Sequence, residues 1–223
     1  QLTKELKVIS KLKLAGYFLL VWDIVRFAKS NNIMVQGRGS AANSAICYVL
    51  GITAIDPIAM DLLFERFLSE ERGEWPDIDL DLPSGSKREQ VIQYVYDRYG
   101  PDGAAMTANV ITYRSKSALR ETGKALGLSA EQLDKISKIA GRWSNIEDKS
   151  QLQEQLAEAN FDIQDHRIKN WLELSGQLLN QPRHLGQHSG GMVIASGKLN
   201  ACCPIEPASM RNRQVIQWDK DDC

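Results

Sequence analysis

Apolar residues recur at helical spacing along the start of the chain. Val21, Val25 and Phe27 belong to an apolar face that predicts helix across residues 2–30. Two asparagines then interrupt the pattern, and the run Ile33–Gln36 is a short strand candidate. The chain therefore opens with helix and then becomes extended.

Glycine, proline and capping residues divide the next stretch into short elements. A helix is predicted in "AANSAICYVLG", capped by Ser40 and ended by Gly51, and another helix begins at Asp56 in "DPIAMDLLFERFL". Alternation in "PDIDLDL" predicts a strand. An amphipathic helix in "SKREQVIQYVYDRYG" and a strand in "AAMTANVIT" follow.

The second half of the chain changes character twice. From about residue 115 to residue 181 the pattern is helical only, and Ser129 with Gln132 forms a capping box. Strand patterns return after Pro182, in "GGMVIAS" and "RQVIQWD". We therefore predict an α+β fold, a mixed α/β unit interrupted by an all-helical insertion. The predicted parts are residues 1–113, 114–182 and 183–223.

Composition excludes several protein classes. The 223 residues are 43% hydrophobic and 25% charged, which is typical of a soluble globular protein, and no apolar run is long enough to span a membrane. The net charge of -1 means that any nucleic-acid contact must come from local patches. Four cysteines without metal-ligand spacing argue against zinc and favour a reduced, cytoplasmic location. The start at Gln1 and the end at Cys223 suggest a fragment of something longer.

Three aspartates lie at alternate positions in "PDIDLDL". A strand places Asp77, Asp79 and Asp81 on one face, and Ile78 and Leu80 on the other. Like charges this close repel one another unless a cation neutralises them, and Mg²⁺ is typically held by one or two carboxylates together with substrate phosphates. A solvated edge strand, whose charges discourage aggregation, is the alternative interpretation.

The segment "GRGSAANS" has the features of a phosphate-binding loop. Its glycines let the backbone approach a ligand, Arg38 supplies a planar positive fork, and the helix start after Gly39 and Ser40 leaves amide groups unpaired. It is not a Walker A loop, because no GK[ST] follows. A glycine-rich turn before a capped helix is the alternative.

Two arginines between the loop and the aspartates extend the predicted site. Arg66 and Arg72 could clamp a triphosphate, and a phosphate loop, a metal site and a positive clamp are the parts that nucleotidyl transfer needs. Surface ion pairs with Glu65, Glu70 or Glu71 are the alternative.

A basic stripe follows in "ITYRSKSALRETGKALG". Lys116, Arg120 and Lys124 recur every four residues, with Arg114 just before them. This spacing predicts contact with a nucleic-acid backbone, and a solvated helix face is the alternative. His188 precedes two glycines and a strand, and the favoured interpretation is a hydrogen-bonded structural residue.

Four blocks of the sequence resemble one protein family. The blocks are "GRGSAANSAICYVLGITAIDP", "DLLFERFLSEERGEWPDIDLDL", "VITYRSKSALRETGKALGL" and "HSGGMVIASGKL…VIQWDKDDC". They are similar, in collinear order, to the C-family bacterial DNA polymerases, the family of the DNA polymerase III alpha subunit. Asn43 and the segments "ALRETGKALGL" and "PIEPASMRNRQVIQWDKDD" resemble the error-prone, damage-inducible branch most.

The resemblance implies a DNA-directed DNA polymerase with a palm of polymerase-beta-like nucleotidyltransferase type and an inserted helical thumb. By the family's pattern Asp77 and Asp79 bind two catalytic Mg²⁺ ions, and Asp81 matches a third acid of less defined role. The residues near the incoming nucleotide would be Arg38, Gly39, Ser40, Arg66 and Arg72.

The resemblance also implies partners and one departure. Primer–template DNA and deoxynucleoside triphosphates would bind here, whereas a sliding clamp and mutagenesis accessory proteins would bind through other regions; no membrane is involved. The family's third catalytic aspartate lies beyond "WDKDD", so the chain alone is expected to be inactive. A replicative alpha-subunit palm, a non-catalytic DNA-binding scaffold and a template-independent nucleotidyltransferase remain alternatives.

Overall fold

The computed structural model describes residues 1–69, 76–140, 156, 161–162 and 164–219. Helices and strands are mixed along the chain, as the α+β prediction requires. The chain forms two compact units, one made of Gln1–Ala105 with Ile194–Cys202 and the other of Met106–Val193 with Cys203–Cys223. Among the described residues, no helix combines the length and the apolar character needed to cross a membrane.

The first unit combines helices with a two-stranded sheet. Its helices are α1 (Leu2–Lys11), α2 (Ala15–Ser30), α3 (Ala45–Val49) and α4 (Ser86–Tyr99), and its strands are β1 (Gln36–Arg38) and β2 (Asp79–Asp81). Short 3-10 helices span Gly39–Asn43, Phe64–Arg66 and Leu199–Ala201. The strand predicted at Ile33–Gln36 thus lies slightly later, because the ladder with β2 begins only at Gln36.

An aromatic core holds the first unit together. Phe18 of α2 packs edge-on against Phe67, with ring centroids 6.0 Å apart, and Phe67 packs in the same way against Phe64. Ile78 and Leu80 pack against this core from the segment that contains β2. The alternation predicted for "PDIDLDL" is therefore confirmed, because burial of the apolar face leaves the aspartates exposed.

The helix predicted across residues 2–30 is two helices. Lys13 adopts a left-handed backbone conformation with φ 58°, which ends α1 before α2 begins. Leu14, at the junction, is 3% exposed and belongs to the core. The apolar pattern continues through the break because both helices bury their apolar faces in one core.

The helix predicted from Asp56 is wrong. Asp56 does cap a turn, because its Oδ1 accepts the amide N–H groups of Ile58 at 2.9 Å and of Ala59 at 3.2 Å. The turn then stops at Asp61, which has a positive φ of 50°. The chain continues to a 3-10 helix at Phe64–Arg66, so that the aromatic side chains reach the core at the expense of helical continuity.

The second unit contains most of a four-stranded sheet and three described helices. Its elements are β3 (Ala104–Thr112), α5 (Ser115–Ala125), α6 (Ala130–Ala140), α7 (His166–Leu178), β4 (Pro182–Ile194), β5 (Ile205–Pro207) and β6 (Gln214–Asp219). The strand order is β4-β3-β6-β5. β3 and β6 are parallel, whereas β5 and β6 are antiparallel.

The helices of the second unit surround Trp171. Its side chain is fully buried, and its indole N–H donates to the carbonyl of Leu119 at 2.9 Å. The predicted capping box is confirmed, because Gln132 N–H donates to Ser129 Oγ at 3.2 Å and Ser129 N–H donates to Gln132 Oε1 at 2.9 Å. The parts of the helical prediction at residues 141–155, 157–160 and 163 lie outside the described residues.

Asp23 links α2 to α4 in the first unit. Tyr94 Oη donates to Asp23 Oδ2 at 2.6 Å, and Arg26 donates to Oδ1 at 2.7 Å. The Tyr94 ring also stacks on Phe27 with centroids 3.9 Å apart. The hydrogen bond from Tyr94, with smaller contributions from Arg26 and Arg98, lowers the pKa of the Asp23 carboxyl below its ordinary value.

We expect the Tyr94→Phe variant to lose stability in a pH-dependent way. Asp23 has a lowered pKa, so its stabilisation is present above the ordinary carboxyl pKa and disappears as the pH falls through the folded value. Phenylalanine keeps the ring stack but not the hydrogen bond. The difference between the unfolding free energies of wild type and variant should therefore narrow below about pH 4.

Urea unfolding at a series of pH values measures this difference. Tyr48→Phe is the matched control, because Tyr48 is 40% exposed on α3 and far along the chain from Asp23. The control should show a small, pH-independent change. If the unfolding free energies of Tyr94→Phe and wild type differ by the same amount from pH 7 to pH 3, the Tyr94–Asp23 hydrogen bond does not have the role given to it here.

Candidate functional site

Antiparallel pairing of β1 with β2 brings the glycine-rich loop to the aspartates. The register pairs Gln36 with Asp81, Gly37 with Leu80 and Arg38 with Asp79. Two segments some forty residues apart in the sequence therefore become adjacent. The sequence predicted each motif separately, and this register is what joins them.

Charged and polar contacts connect the two segments at their ends. The Arg38 guanidinium forms an ion pair with the carboxylate of Asp81, and these side chains are 69% and 51% exposed. Ser40 Oγ donates to Asp77 Oδ1 across 3.5 Å. An ion pair this exposed contributes only about 0–1 kcal/mol, so a strongly charged ligand could compete for Arg38.

Gly39 faces the central aspartate of the three. It has a positive φ of 65°, and a Cβ placed on it would lie 3.7 Å from Asp79 Oδ2. Glycine adopts this conformation at little cost and leaves the space beside the carboxylate open. The backbone of Arg38 pairs with Asp79, but its side chain reaches Asp81. Gly39 then lies beside the Asp79 carboxylate and Ser40 contacts Asp77, so successive loop residues lie near successive acids.

The first glycine of the loop has a different role. Gly37 N–H donates to the carbonyl of Ile52 at 2.8 Å, and a Cβ on Gly37 would lie 2.8 Å from that same oxygen. It would also crowd the side chain of Thr53 at 3.1 Å. Gly37 is therefore needed for packing inside the protein, whereas Gly39 is favoured by its positive φ.

The helix predicted after Ser40 begins later, and its amides are not available to a ligand. Gly39–Asn43 is a 3-10 helix, and α3 starts at Ala45 with Ser44 as its cap. The amide N–H groups of Ala45 and Ile46 each donate to the carboxylate of Glu5 at 3.0 Å. The predicted position of the helix start is therefore wrong, and the first amides of α3 are taken by a carboxylate of the protein. Phosphate binding by the loop itself stays a prediction.

Tyr17 is a member of the site that sequence reasoning missed. Its pKa is raised to about 12, chiefly by burial; a hydrogen bond with the Ile78 backbone opposes the shift, and the charges of Asp77 and Asp79 add to it. The phenol therefore stays protonated beside the acids at neutral pH. Its position in α2, sixty residues before the acids, gave no sequence signal for this proximity.

The two arginines between the motifs have different outcomes. Arg66 is exposed on the 3-10 helix Phe64–Arg66, and the neighbouring Glu65 forms its ion pair with Lys4. Arg72 lies outside the described residues. The nucleotide-binding role of both arginines stays a prediction.

The predicted basic stripe lies on α5 and is partly neutralised. Lys124 pairs with Glu121 at 3.1 Å, and Arg120 contacts Asp134 at 3.5 Å. Lys116 is exposed, as is Arg114, the residue before the helix. Arg114 also donates to Asn180 Oδ1 at 3.0 Å. The stripe belongs to the second unit, and its contact with nucleic acid stays a prediction.

His188 has the structural role favoured from the sequence. Its Nδ1 accepts the backbone N–H of Gly190 at 3.3 Å and that of Gly191. A Cβ on Gly191 would collide with the His188 ring and with Thr107 Oγ1. Gly191 therefore lets the chain fold tightly around the histidine.

Two of the three aspartates could take part in a metal site that is completed from outside the protein. Among the described residues, no group of three or more His, Cys, Asp and Glu side chains is placed to hold a metal ion. With Asp81 engaged by Arg38, Asp77 and Asp79 are the carboxylates placed toward the loop. Two carboxylates with water and substrate phosphates are the ligand set that Mg²⁺ commonly takes.

Comparison with known proteins gives the family. A model described as the bacterial DNA polymerase III alpha NTPase domain matches residues 1–223. The chain belongs to this family. Relatives named "Error-prone DNA polymerase" are 56% identical in Anaeromyxobacter sp. (strain K), 54% in Mycolicibacterium paratuberculosis (strain ATCC BAA-968 / K-10) and 53% in Pseudomonas paraeruginosa (strain DSM 24068 / PA7).

The match covers all of this chain but a minor part of its relatives. The aligned region is 100% of the chain in each case, and it is 19%, 19% and 21% of those three proteins. The chain thus spans about a fifth of the length of the curated relatives it matches. In this DNA polymerase III alpha NTPase domain, the feature relevant to catalysis is the position of the glycine-rich loop next to the three aspartates.

We expect Gly37→Ala to destabilise the site. The new Cβ would press on the Ile52 carbonyl, which is backbone and cannot rotate away, so β1 must shift. Overpacking of this kind costs about 1–3 kcal/mol in unfolding free energy. Gly16→Ala is the control, because Gly16 lies in α2 with nothing within 4 Å of its Cβ position. The control should gain up to about 1 kcal/mol from helix propensity.

Chemical denaturation of both variants measures these changes. We expect the unfolding free energy to fall in Gly37→Ala and to rise in Gly16→Ala, although both glycines lie in the same unit. Equal stability of Gly37→Ala and wild type would show that β1 and the Ile52 segment are further apart than this geometry gives.

Proposed function

We propose that the chain is the palm and thumb of an error-prone, template-directed DNA polymerase. The parent enzyme joins a primer 3′-hydroxyl to the alpha-phosphate of a deoxynucleoside triphosphate and releases pyrophosphate. Residues 1–113 and 183–223 form the palm, of polymerase-beta-like type, and residues 114–182 form the helical thumb. Family membership and the names of the relatives support this proposal.

The observation that carries the proposal is the β1–β2 register. It sets the loop residues opposite the acids, so one surface offers carboxylates beside a cation and a hydroxyl group. Nucleotidyl transfer needs this combination, because the phosphates carry negative charge and the metal ligands must lie next to them. An edge strand whose charges only prevent aggregation needs no facing arginine and serine.

Asp77 and Asp79 hold two Mg²⁺ ions in this proposal. Bound Mg²⁺ stabilises the attacking and leaving oxygens of an in-line displacement. Asp81 acts differently, because its carboxylate forms an ion pair with the Arg38 guanidinium. Tyr17 stays protonated beside Asp77 and Asp79, so its phenol adds no negative charge to the two carboxylates.

The loop binds the triphosphate. Arg38 exchanges its exposed carboxylate partner for phosphate oxygens, which its planar donor fork fits equally well. Gly39 keeps the backbone close to the ligand, and Ser40 adds a hydroxyl donor. Arg66 and Arg72 bind the nucleotide from the segment that precedes the acids.

The basic stripe on α5 binds the backbone of the primer–template duplex. Arg114 and Lys116 provide exposed charge, and Arg120 and Lys124 add charge that Asp134 and Glu121 partly offset. Such contacts give affinity without sequence choice and weaken as salt rises. A sliding clamp and mutagenesis accessory proteins would bind other regions of a cytoplasmic parent enzyme.

Primer extension by the full-length protein tests the proposal. We expect Mg²⁺-dependent, template-directed synthesis that Asp77→Asn and Asp79→Asn each reduce at least about 10³-fold, since metal stabilisation of the transition state is worth several kcal/mol. Primer–template affinity should stay unchanged. Asp97→Asn is the matched control, an exposed aspartate on α4, and should keep full activity.

Three other results would reject the proposal in distinct ways. Undiminished synthesis by Asp77→Asn and Asp79→Asn would show that the acids are wrongly assigned. Extension without a template strand would indicate a template-independent nucleotidyltransferase. DNA binding without synthesis in the wild-type protein would indicate a non-catalytic scaffold.

A further inference from the structure

Glu5 is a fully buried acid that the proposed chemistry does not use. It lies on α1, and its side chain is 0% exposed. Its Oε1 accepts the Ala45 N–H at 3.0 Å and the Gln1 side-chain amide at 2.8 Å. Its Oε2 accepts the Ser44 hydroxyl at 2.9 Å and the Ile46 N–H at 3.0 Å. Each carboxylate oxygen therefore accepts two hydrogen bonds.

Three of these four donors belong to the segment that follows the glycine-rich loop. Ser44 Oγ, while donating to Glu5, also accepts the Cys47 N–H at 3.1 Å. The first three amides of α3 are thus satisfied by one carboxylate and the serine it holds. A negative charge at a helix N-terminus is favourable, and four donors offset the cost of burying the charge.

Hydrogen bonds and one peptide link connect Glu5 with the acids. Asn43 Nδ2 donates to the Ser40 carbonyl at 2.9 Å, and Asn43 directly precedes Ser44. Ser40 Oγ in turn faces Asp77 at 3.5 Å. The other end of the loop is fixed by β1, where Gly37 is bonded to Ile52. The loop is therefore held at both ends, by a strand ladder on one side and by Glu5 on the other.

We propose that Glu5 is a positioning residue that sets the glycine-rich loop against the aspartates. It touches neither substrate nor metal and acts through Ser44 and Asn43. The inference rests on the proposed function in one respect only, that the loop binds a nucleoside triphosphate. A buried carboxylate suits this role because it accepts four hydrogen bonds from fixed directions, whereas an apolar side chain would fill the space without orienting the loop.

Glu5→Gln in the full-length protein is the decisive variant. Glutamine has the same shape, but an NH₂ group replaces one of the two carboxylate oxygens. The donors that were hydrogen-bonded to that oxygen then face another donor. Leaving a buried donor unsatisfied costs enough to shift an equilibrium by about tenfold. We expect the KM for deoxynucleoside triphosphate to rise about tenfold, with kcat changed less than about threefold, because Asp77 and Asp79 remain in place.

Ser175→Ala is the matched control for a purely structural loss. Ser175 is also fully buried, and it hydrogen-bonds Thr122 at 2.6 Å and the Trp171 carbonyl at 2.7 Å in the other unit. We expect it to lower stability without moving the KM. Ser40→Ala combined with Glu5→Gln should raise the KM by less than the product of the single effects, because both changes act on one loop.

Hydrogen–deuterium exchange without nucleotide gives a readout independent of activity. Amides of residues 39–47 should exchange faster in Glu5→Gln than in wild type, and should not change in Ser175→Ala. If wild type makes no DNA but this exchange difference is present, the proposed function fails while the loop-positioning role of Glu5 stands.

Two results would overturn the inference itself. One is a Glu5→Gln protein with wild-type KM and wild-type exchange, in an enzyme that makes DNA. The other is a variant whose activity falls only in proportion to its lost folded fraction, with an unchanged KM. If Glu5→Gln does not fold, Ser44→Ala removes one donor to Glu5 together with the acceptor of the Cys47 N–H. For the inference to hold, this variant must raise both the KM and the exchange of residues 39–43.

Discussion

The close approach of β1 to its two neighbours is the constraint on which the site depends. Gly37 lies so near Ile52 that an alanine at this position would collide with the Ile52 carbonyl oxygen. On the other side the same strand pairs with β2, whose Leu80 is packed on the aromatic core. Core packing thus fixes the positions of β1 and β2 relative to each other. The polar contacts between the loop and the acids follow from these positions.

Charge balance at the site is achieved in two separate places. On the exposed side, Arg38 and Ser40 face the outer acids, through contacts weak enough for a ligand to replace. On the buried side, Glu5 is bound by donors from the chain following the loop, at distances of 2.9 to 3.0 Å. Because they are exposed, the contacts of Arg38 and Ser40 can be exchanged for contacts with a ligand. The buried contacts of Glu5 keep their geometry.

Sequence patterns were reliable where one short stretch decided the structure. The alternation of "PDIDLDL", the helix Ser86–Tyr99 and the capping box at Ser129 all follow from neighbours within a few residues. The prediction failed at Asp56, where Asp61 turns the chain so that Phe64 and Phe67 can reach the core. It failed again after Ser40, because the donors of the helix start meet an acid forty residues earlier in the chain.

The sequence by itself determined the chemistry on offer: three acids on one face of a strand, a loop with an arginine between glycines, and a basic helix. It also determined the family, through blocks spread along the whole chain. Only the tertiary structure decided that the loop faces the acids residue by residue, that Tyr17 lies beside them, and that Glu5 holds the loop from behind. The physical reason is that register and burial depend on contacts between distant segments, and local residue patterns carry no information about which distant segment supplies a partner.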